Sequence, residues 1–284
     1  MTILWMLLPA IAWGVLPLLV SRLGGRPINQ IFGTAIGTLI VSIIGQVILH
    51  PTINLTAFLM AAVAGAFWII GQLGQYIGYA NVGVSKTMPI STGLQLVGTA
   101  LVGVCLFGEW ATTAAKVIGV IGIVLLVVGV IMTSLHDRQE QAGDNQTRTI
   151  IMLVLTTIGF IVFNAIPKAL SASGIAIFLP ESIGMVVAVL VYMLSRGQLK
   201  IMRERVSWLN VLGGLVFSIA SLTYIVSVSQ NGVNTAFVVS QLSVVISTLG
   251  GLLFLHERKS HRELILTLSG LGLVVIGAIV TTLV

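Results

Sequence analysis

The sequence predicts an all-α polytopic membrane protein of ten transmembrane helices, arranged as two inverted five-helix repeats. Three observations predict it. The 284 residues are 57% hydrophobic and 8% charged, with a mean hydropathy of +1.10. A soluble domain carries about 25% charged residues, so this chain cannot cover a water-facing surface. Ten apolar runs, each near the ~20 residues that one helical crossing needs, cover the chain evenly. The alternating segments of ~10 residues that mark transmembrane strands are absent. Finally, the chain matches itself at a fixed offset.

The first run, 3–21, has no basic residue before it. A cleaved secretory signal would normally have one, so it reads as a mature helix, with Trp13 inside it. The second, 29–49, opens on Asn29 and Gln30. The third, 55–80, carries Trp68 and the stretch GQLGQYIGY (71–79), with Gln72 and Gln75 beside Gly74 and Gly78. That glycine spacing permits close helix approach. The fourth, 86–107, holds STGLQLVGT (91–99), which puts Ser91, Thr92, Gln95 and Thr99 at membrane depth. The fifth is 112–134. HDRQEQAGDNQTR (136–148) is the longest polar stretch and divides the chain into 1–135, a linker at 136–148, and 149–284. The sixth run, 149–170, contains Asn164, and the seventh, 174–195, contains Glu181. The eighth is 208–230. The ninth, 232–255, carries Ser240, Gln241 and Ser243, and the tenth is 262–283. Trp5, Trp110 and Trp208 lie near helix ends, where indoles form interfacial belts.

At an offset of 148, Leu101, Gly103, Glu109, Gly122, Val127, Gly129, Ile131 and Thr133 recur as Leu249, Gly251, Glu257, Gly270, Val275, Gly277, Ile279 and Thr281. Five crossings is an odd number, so the second copy must enter the membrane from the opposite side. Inverted repeats are a mark of secondary transporters, whose substrate site lies near the midplane between the halves. Most basic residues fall between helices 1–2, 3–4, 5–6, 7–8 and 9–10; only Lys116 and Lys168 fall at the other face. Basic loops stay cytoplasmic, which places both termini outside the cytoplasm. The net charge of +6 is therefore a topology signal and not a nucleic-acid surface.

Thr92, Gln95 and Thr99 map at the same offset onto Ser240, Ser243 and Ser247, with i, i+3, i+7 spacing in both copies. This is one helix face. A lipid-facing Gln would leave amide groups unpaired at a cost of several kcal/mol, so both stripes should face the bundle interior. There they serve either as interhelical hydrogen-bond glue or as a ligand site. The candidate substrate-binding set is Trp13, Trp68, Gln72, Gln75, Ser91, Thr92, Gln95, Thr99, Asn164, Ser240, Gln241 and Ser243. Amides donate and accept at once and so suit sugar hydroxyls, and an indole face can pack on a pyranose. An anionic substrate would call for Arg or Lys, and no basic residue lies at a helix centre.

Glu181 sits about two turns into its helix. A carboxylate there is a functional candidate: it is the best candidate for carrying a coupling proton, against a hydrated or ion-paired role. Glu109 and Glu257 sit at the ends of helices 4 and 9, where a carboxylate opposes the helix dipole. Each is expected to have a cationic partner, either as an end anchor or as a gate latch. His50, His136, His256 and His261 lack metal-ligand spacing, and there is no phosphate-binding loop. No enzyme activity, metal or other cofactor is expected.

GVSKTMPISTGLQLVGT (83–99), LFGEW (106–110), INQIFGTAIGTLIV (28–41) and SQLSVVISTLGGLLFLHERK (240–259) closely resemble the glucose/ribose porter family. These are bacterial sugar-uptake permeases of the drug/metabolite transporter superfamily. The likeness runs nearly end to end. It implies a multi-pass plasma-membrane protein that takes up a neutral monosaccharide by alternating access, with proton symport open. Its partners would be a small-molecule sugar and the lipid bilayer. Export or exchange of another small metabolite or drug is the alternative, and a non-transporting membrane sensor the remaining one.

Overall fold

The computed structural model describes residues 2–108, 110–135, 144–170, 172–231, 233–281 and 283. Its regular elements are all helical: α1 (Thr2–Leu23), α2 (Pro27–Leu49), α3 (Leu55–Val82), α4 (Val84–Phe107), α5 (Thr113–Ser134), α6 (Asp144–Ala169), α7 (Gly174–Ser195), a 3-10 turn (Leu199–Arg203), α8 (Arg205–Leu209), α9 (Val211–Asn231), α10 (Val233–Ser240), α11 (Leu242–Phe254) and α12 (His261–Thr281). Nine helices of the described residues are long and apolar enough to cross a membrane, and α10 with α11 supplies a shorter, interrupted tenth.

Local chemistry sets several helix ends. Asn54, Thr112 and Ser173 accept from the amides of Ala57, Ala115 and Ala176, three residues on, so each satisfies one of the unpaired N–H groups of a first turn. Gly108 closes α4 in the left-handed region. Within α2, Gln30, Thr34, Thr38 and Ser42 recur every fourth residue and are buried, while Ile43, Ile44, Val47 and Ile48 are exposed. Polar groups therefore turn inward and aliphatic groups outward, the arrangement a lipid solvent requires.

The ninth crossing departs from the continuous helix expected over 232–255. It breaks at Gln241, between α10 and α11. The Ser240 hydroxyl and the Gln241 amide both donate to Phe237 O, at 2.7 and 3.4 Å. The Gln241 backbone N–H still donates to the same carbonyl at 3.2 Å, and Val244 N turns to Gln241 O at 3.1 Å, an i, i+3 bond that marks a tightened turn at the break. Trp110 also departs from expectation: it is buried, with its ring against Gly119 of α5.

Among the closely packed pairs are α3 with α6 and α7, α9 with α1 and α2, α4 with α5 and α6, α11 with α1, and the self-matched pairs α5–α12, α2–α7 and α4–α11. Exchanging each helix for the one five crossings away leaves these pairs unchanged except α4–α5, whose counterpart α11–α12 is much looser. The same holds at the closest approaches. Gly65 of α3 lies on the carbonyl of Glu181 and Gly184 of α7 on that of Ala62; Gly214 of α9 lies on the carbonyl of Thr34 and Gly37 of α2 on that of Val211. A Cβ at any of the four would overlap the backbone facing it.

Candidate functional site

Helices α3 and α4 meet across a chain of amides and hydroxyls. Gln72 Nε2 donates to Gln75 Oε1 at 3.2 Å, and Gln75 Nε2 donates to Ser91 Oγ at 2.8 Å. Gln95 Nε2 donates to the same Ser91 oxygen at 3.2 Å, and Thr99 Oγ1 to Gln95 O at 2.7 Å. Gln72, Gln75 and Ser91 are buried; Thr92, Gln95 and Thr99 are half-buried. The structure thus joins four of the expected residues, Gln72, Gln75, Ser91 and Gln95, into one network between two crossings.

Two tyrosines belong to this region and escaped the sequence reading. Tyr79 OH lies within donating reach of Gln75 Oε1 at 3.1 Å and of Met88 Sδ at 3.0 Å, two acceptors for its one proton. Tyr76 OH shares a 2.8 Å hydrogen bond with Thr34 Oγ1 of α2. Gln72, Gln75, Tyr76 and Tyr79 follow i, i+3, i+4, i+7 spacing, so the face that carried the glutamines already contained both tyrosines. Tyr224 of α9 lies 5.4 Å from Trp13 of α1, centroid to centroid, at a 51° tilt.

The second stripe is bonded locally. Ser240 and Gln241 use Phe237 O, and Ser247 uses Val244 O at 3.1 Å. Ser243 is buried. Trp68 is 1% exposed and packs edge-on against Phe217 at 5.2 Å, within the core. Asn164 is exposed on α6. Two buried hydroxyls near the network and the second stripe, Thr87 on α4 and Thr248 on α11, have no hydrogen-bond partner among the described residues.

Glu181 is buried in α7, where that helix crosses α3 at Gly65. Its neighbour Ser182 is tied to Ser42 of α2 by a 2.5 Å hydrogen bond. Glu109 lies outside the described residues. Glu257 lies beyond the end of α11, in the connection to α12, and its carboxylate reaches the start of α4: Val84 N donates to Oε1 at 2.6 Å and Ser85 N to Oε2 at 2.9 Å. Among the described residues, backbone amides at a helix N-terminus are its hydrogen-bond donors, while the Lys259 charge acts on it from nearby. The helix dipole that a carboxylate opposes at the end of its own helix favours it at the start of another.

Beside Glu257 a cavity of about 300 Å³ opens at the basic end of the bundle, lined in part by Asn81, Ser85, Lys86, Asn145 and Lys259. Lys259 Nζ donates to Thr267 Oγ1 at 2.7 Å. Burial, with the Lys86 charge adding to it, lowers the Lys259 ammonium to about 8. Among the described residues no cluster of His, Cys, Asp and Glu could hold a metal ion.

The comparisons agree in kind. A family model described as "Sugar transport protein" matches residues 4–284. A candidate sugar uptake protein of Lactobacillus johnsonii is 49% identical over 286 residues, covering 100% of both chains. A glucose uptake protein of Bacillus subtilis is 39% identical over 282 residues, covering 98% of this chain and 97% of its own. A candidate ribose uptake protein of Latilactobacillus sakei is 37% identical over 281 residues, covering 97% and 96%. A solved crystal structure superposes with a TM-score of 0.63 at 16% identity, covering 99% of this chain and 97% of that one, a likeness of fold alone.

Proposed function

The chain belongs to the sugar transport protein family, and from that premise we propose that it takes up a neutral monosaccharide of the glucose or ribose class across the bacterial plasma membrane by alternating access. One observation carries the reading: the Gln72–Gln75–Ser91–Gln95 network is uncharged, lies between two crossings, and is built from groups that both donate and accept. Trp13 with Tyr224 offers an aromatic platform, and Thr92, Thr99, Ser240, Gln241 and Ser243 supply further polar contacts. Trp68 and Asn164 stay in the candidate set, Trp68 as a buried wall of the core and Asn164 as a contact nearer the non-basic end. The helix pairing that survives exchange of the two halves supports a two-repeat design, with residues 1–135 and 149–284 as the copies. The break at Gln241 supports a site there, because interrupted helices line binding sites in transporters.

Counterflow of labelled glucose and ribose in proteoliposomes tests the substrate class. Accumulation of at least one of them is expected, and failure of both would favour export or exchange of another metabolite. The basic loops place the connection near Asp144 in the cytoplasm and both termini outside. A cysteine introduced at 144, in a chain with Cys105 replaced, should resist an impermeant thiol reagent added to intact cells. Labelling from outside would reverse the orientation. Glu181 is the proposed carrier of a coupling proton, supported by its burial in a crossing helix.

A further inference from the structure

From the seat of Glu257 we infer that this side chain is the clasp of the gate at the basic end of the bundle, and that it must let go of α4 each time that end opens. The inference rests on the alternating-access reading. The clasp joins two helices that both carry candidate sugar contacts: α4 with Ser91 and Gln95, and α11 with Ser243. Its bonds span 173 and 172 residues of sequence and tie the second half of the chain to the first.

The seat is built for a carboxylate. Two oxygens meet two amides of one first helical turn, a charge-assisted pair placed where the helix dipole is positive. Gly83 stands at φ +84°, a conformation side chains rarely adopt, and a Cβ there would lie 2.8 Å from the Glu257 carboxyl carbon. A Cβ at Gly251 would lie 3.0 Å from both Glu257 Oε2 and Ser85 N. Two glycines, one before α4 and one on α11, therefore make room for the contact. Glu257 N donates to Gly251 O at 3.2 Å, so the carboxylate is aimed by the end of α11 itself. Arg22 Nη2 donates to Phe254 O at 2.7 Å, which holds the same end of α11 to α1.

The position suits a gate. Ser85 lies six residues before Ser91 on α4, a rise of about 9 Å, so the clasp sits between the polar network and the basic end. Ser85 and Glu257 also form part of the wall of the cavity at that end. A sugar leaving the network toward the basic loops must separate α4 from α11 here. Separation costs two charge-assisted bonds at once, but the freed carboxylate and amides meet water in the adjoining cavity, so the clasp is reversible. The sequence carries a counterpart: Gly83-Val84 recurs as Gly232-Val233 and Glu257 as Glu109. Glu109 and Gly232 lie outside the described residues.

Thiol accessibility in lipid nanodiscs, without sugar, tests the clasp. In a background with Cys105 replaced, Ser247→Cys reports the basic end, since Ser247 is one turn deeper than Gly251 on the same face of α11. Thr99→Cys reports the other end of α4. Glu257→Gln removes the charge and keeps the shape. Val84→Pro removes one amide donor at the first helical position, where proline is well tolerated. Each variant should speed maleimide labelling at 247, on the order of tenfold for the loss of charged hydrogen bonds, and slow it at 99. The two together should exceed neither alone by much, because they break one contact. Unchanged rates overturn the clasp. Faster labelling at both positions also overturns it, because it shows general loosening rather than a gate. No sugar or transport enters the measurement, so the clasp can fail while uptake stands, and the reverse.

Discussion

At the scale of single residues, the glutamines separate into two situations. Gln75 is held from three sides, by Gln72, Tyr79 and Ser91, whereas Gln95 has one side-chain bond, to Ser91, and is half-buried. The residue with spare bonding capacity is the better ligand for an incoming hydroxyl. Gln95→Ala should weaken sugar affinity by about threefold to tenfold, the loss of one neutral hydrogen bond, and leave melting temperature close to wild type. Gln75→Ala should lower melting temperature as well, because it strands buried partners. Equilibrium binding and thermal unfolding on purified protein separate the two effects. Unchanged affinity in folded Gln95→Ala protein would return that residue to a packing role. The sequence pattern exposed both glutamines because amides are out of place in an apolar run. It did not expose Tyr76 and Tyr79, because tyrosine is unremarkable there until its hydroxyl is seen to bond Thr34 and Gln75.

At the scale of elements, the bundle depends on helices whose backbones nearly touch. The crossing of α3 with α7 and that of α9 with α2 use the same device, a glycine from each helix against a carbonyl of the other. Gly65→Val and Gly214→Val should each destabilise strongly, since overpacking alone costs about 1–3 kcal/mol and the obstacle here is backbone. Gly45→Val on α2, where a Cβ meets open space, should leave the melting temperature nearly unchanged. Equal melting of all three would mean that the helices do not meet backbone to backbone at these crossings. Helix positions were legible from length and hydropathy, since crossing a bilayer fixes both. The interruption at Gln241 was not, because it is a local change to an i, i+3 bond, from Val244 N to Gln241 O, that leaves the hydropathy pattern unaltered.

At the scale of the whole molecule, coupling is the property to test. Glu181 lies at the α3–α7 crossing, and the helix that carries it packs against α2 and α3. Any rocking of one half against the other changes its surroundings. Glu181→Gln keeps size and most hydrogen bonding but cannot ionise. It should abolish sugar accumulation driven by a pH gradient and leave sugar exchange largely intact, because exchange needs no net proton movement. Accumulation at the wild-type level in this variant would end the coupling role. A wild type that never concentrates sugar would make the protein a facilitator, with Glu181 a structural group.

By itself the sequence determined the membrane class, the number and placement of the crossings, and the polar face of α3 and α4, all properties of local composition and spacing. Tertiary structure decided which polar groups meet. Gln75 reaches Ser91 only because α3 and α4 pack together, and Glu257 reaches Val84 only because α11 ends against the start of α4. The carboxylate was expected to need a cation, since its own helix dipole repels it. The fold supplied the positive end of a different helix, and no spacing along the chain encodes a partner 173 residues away.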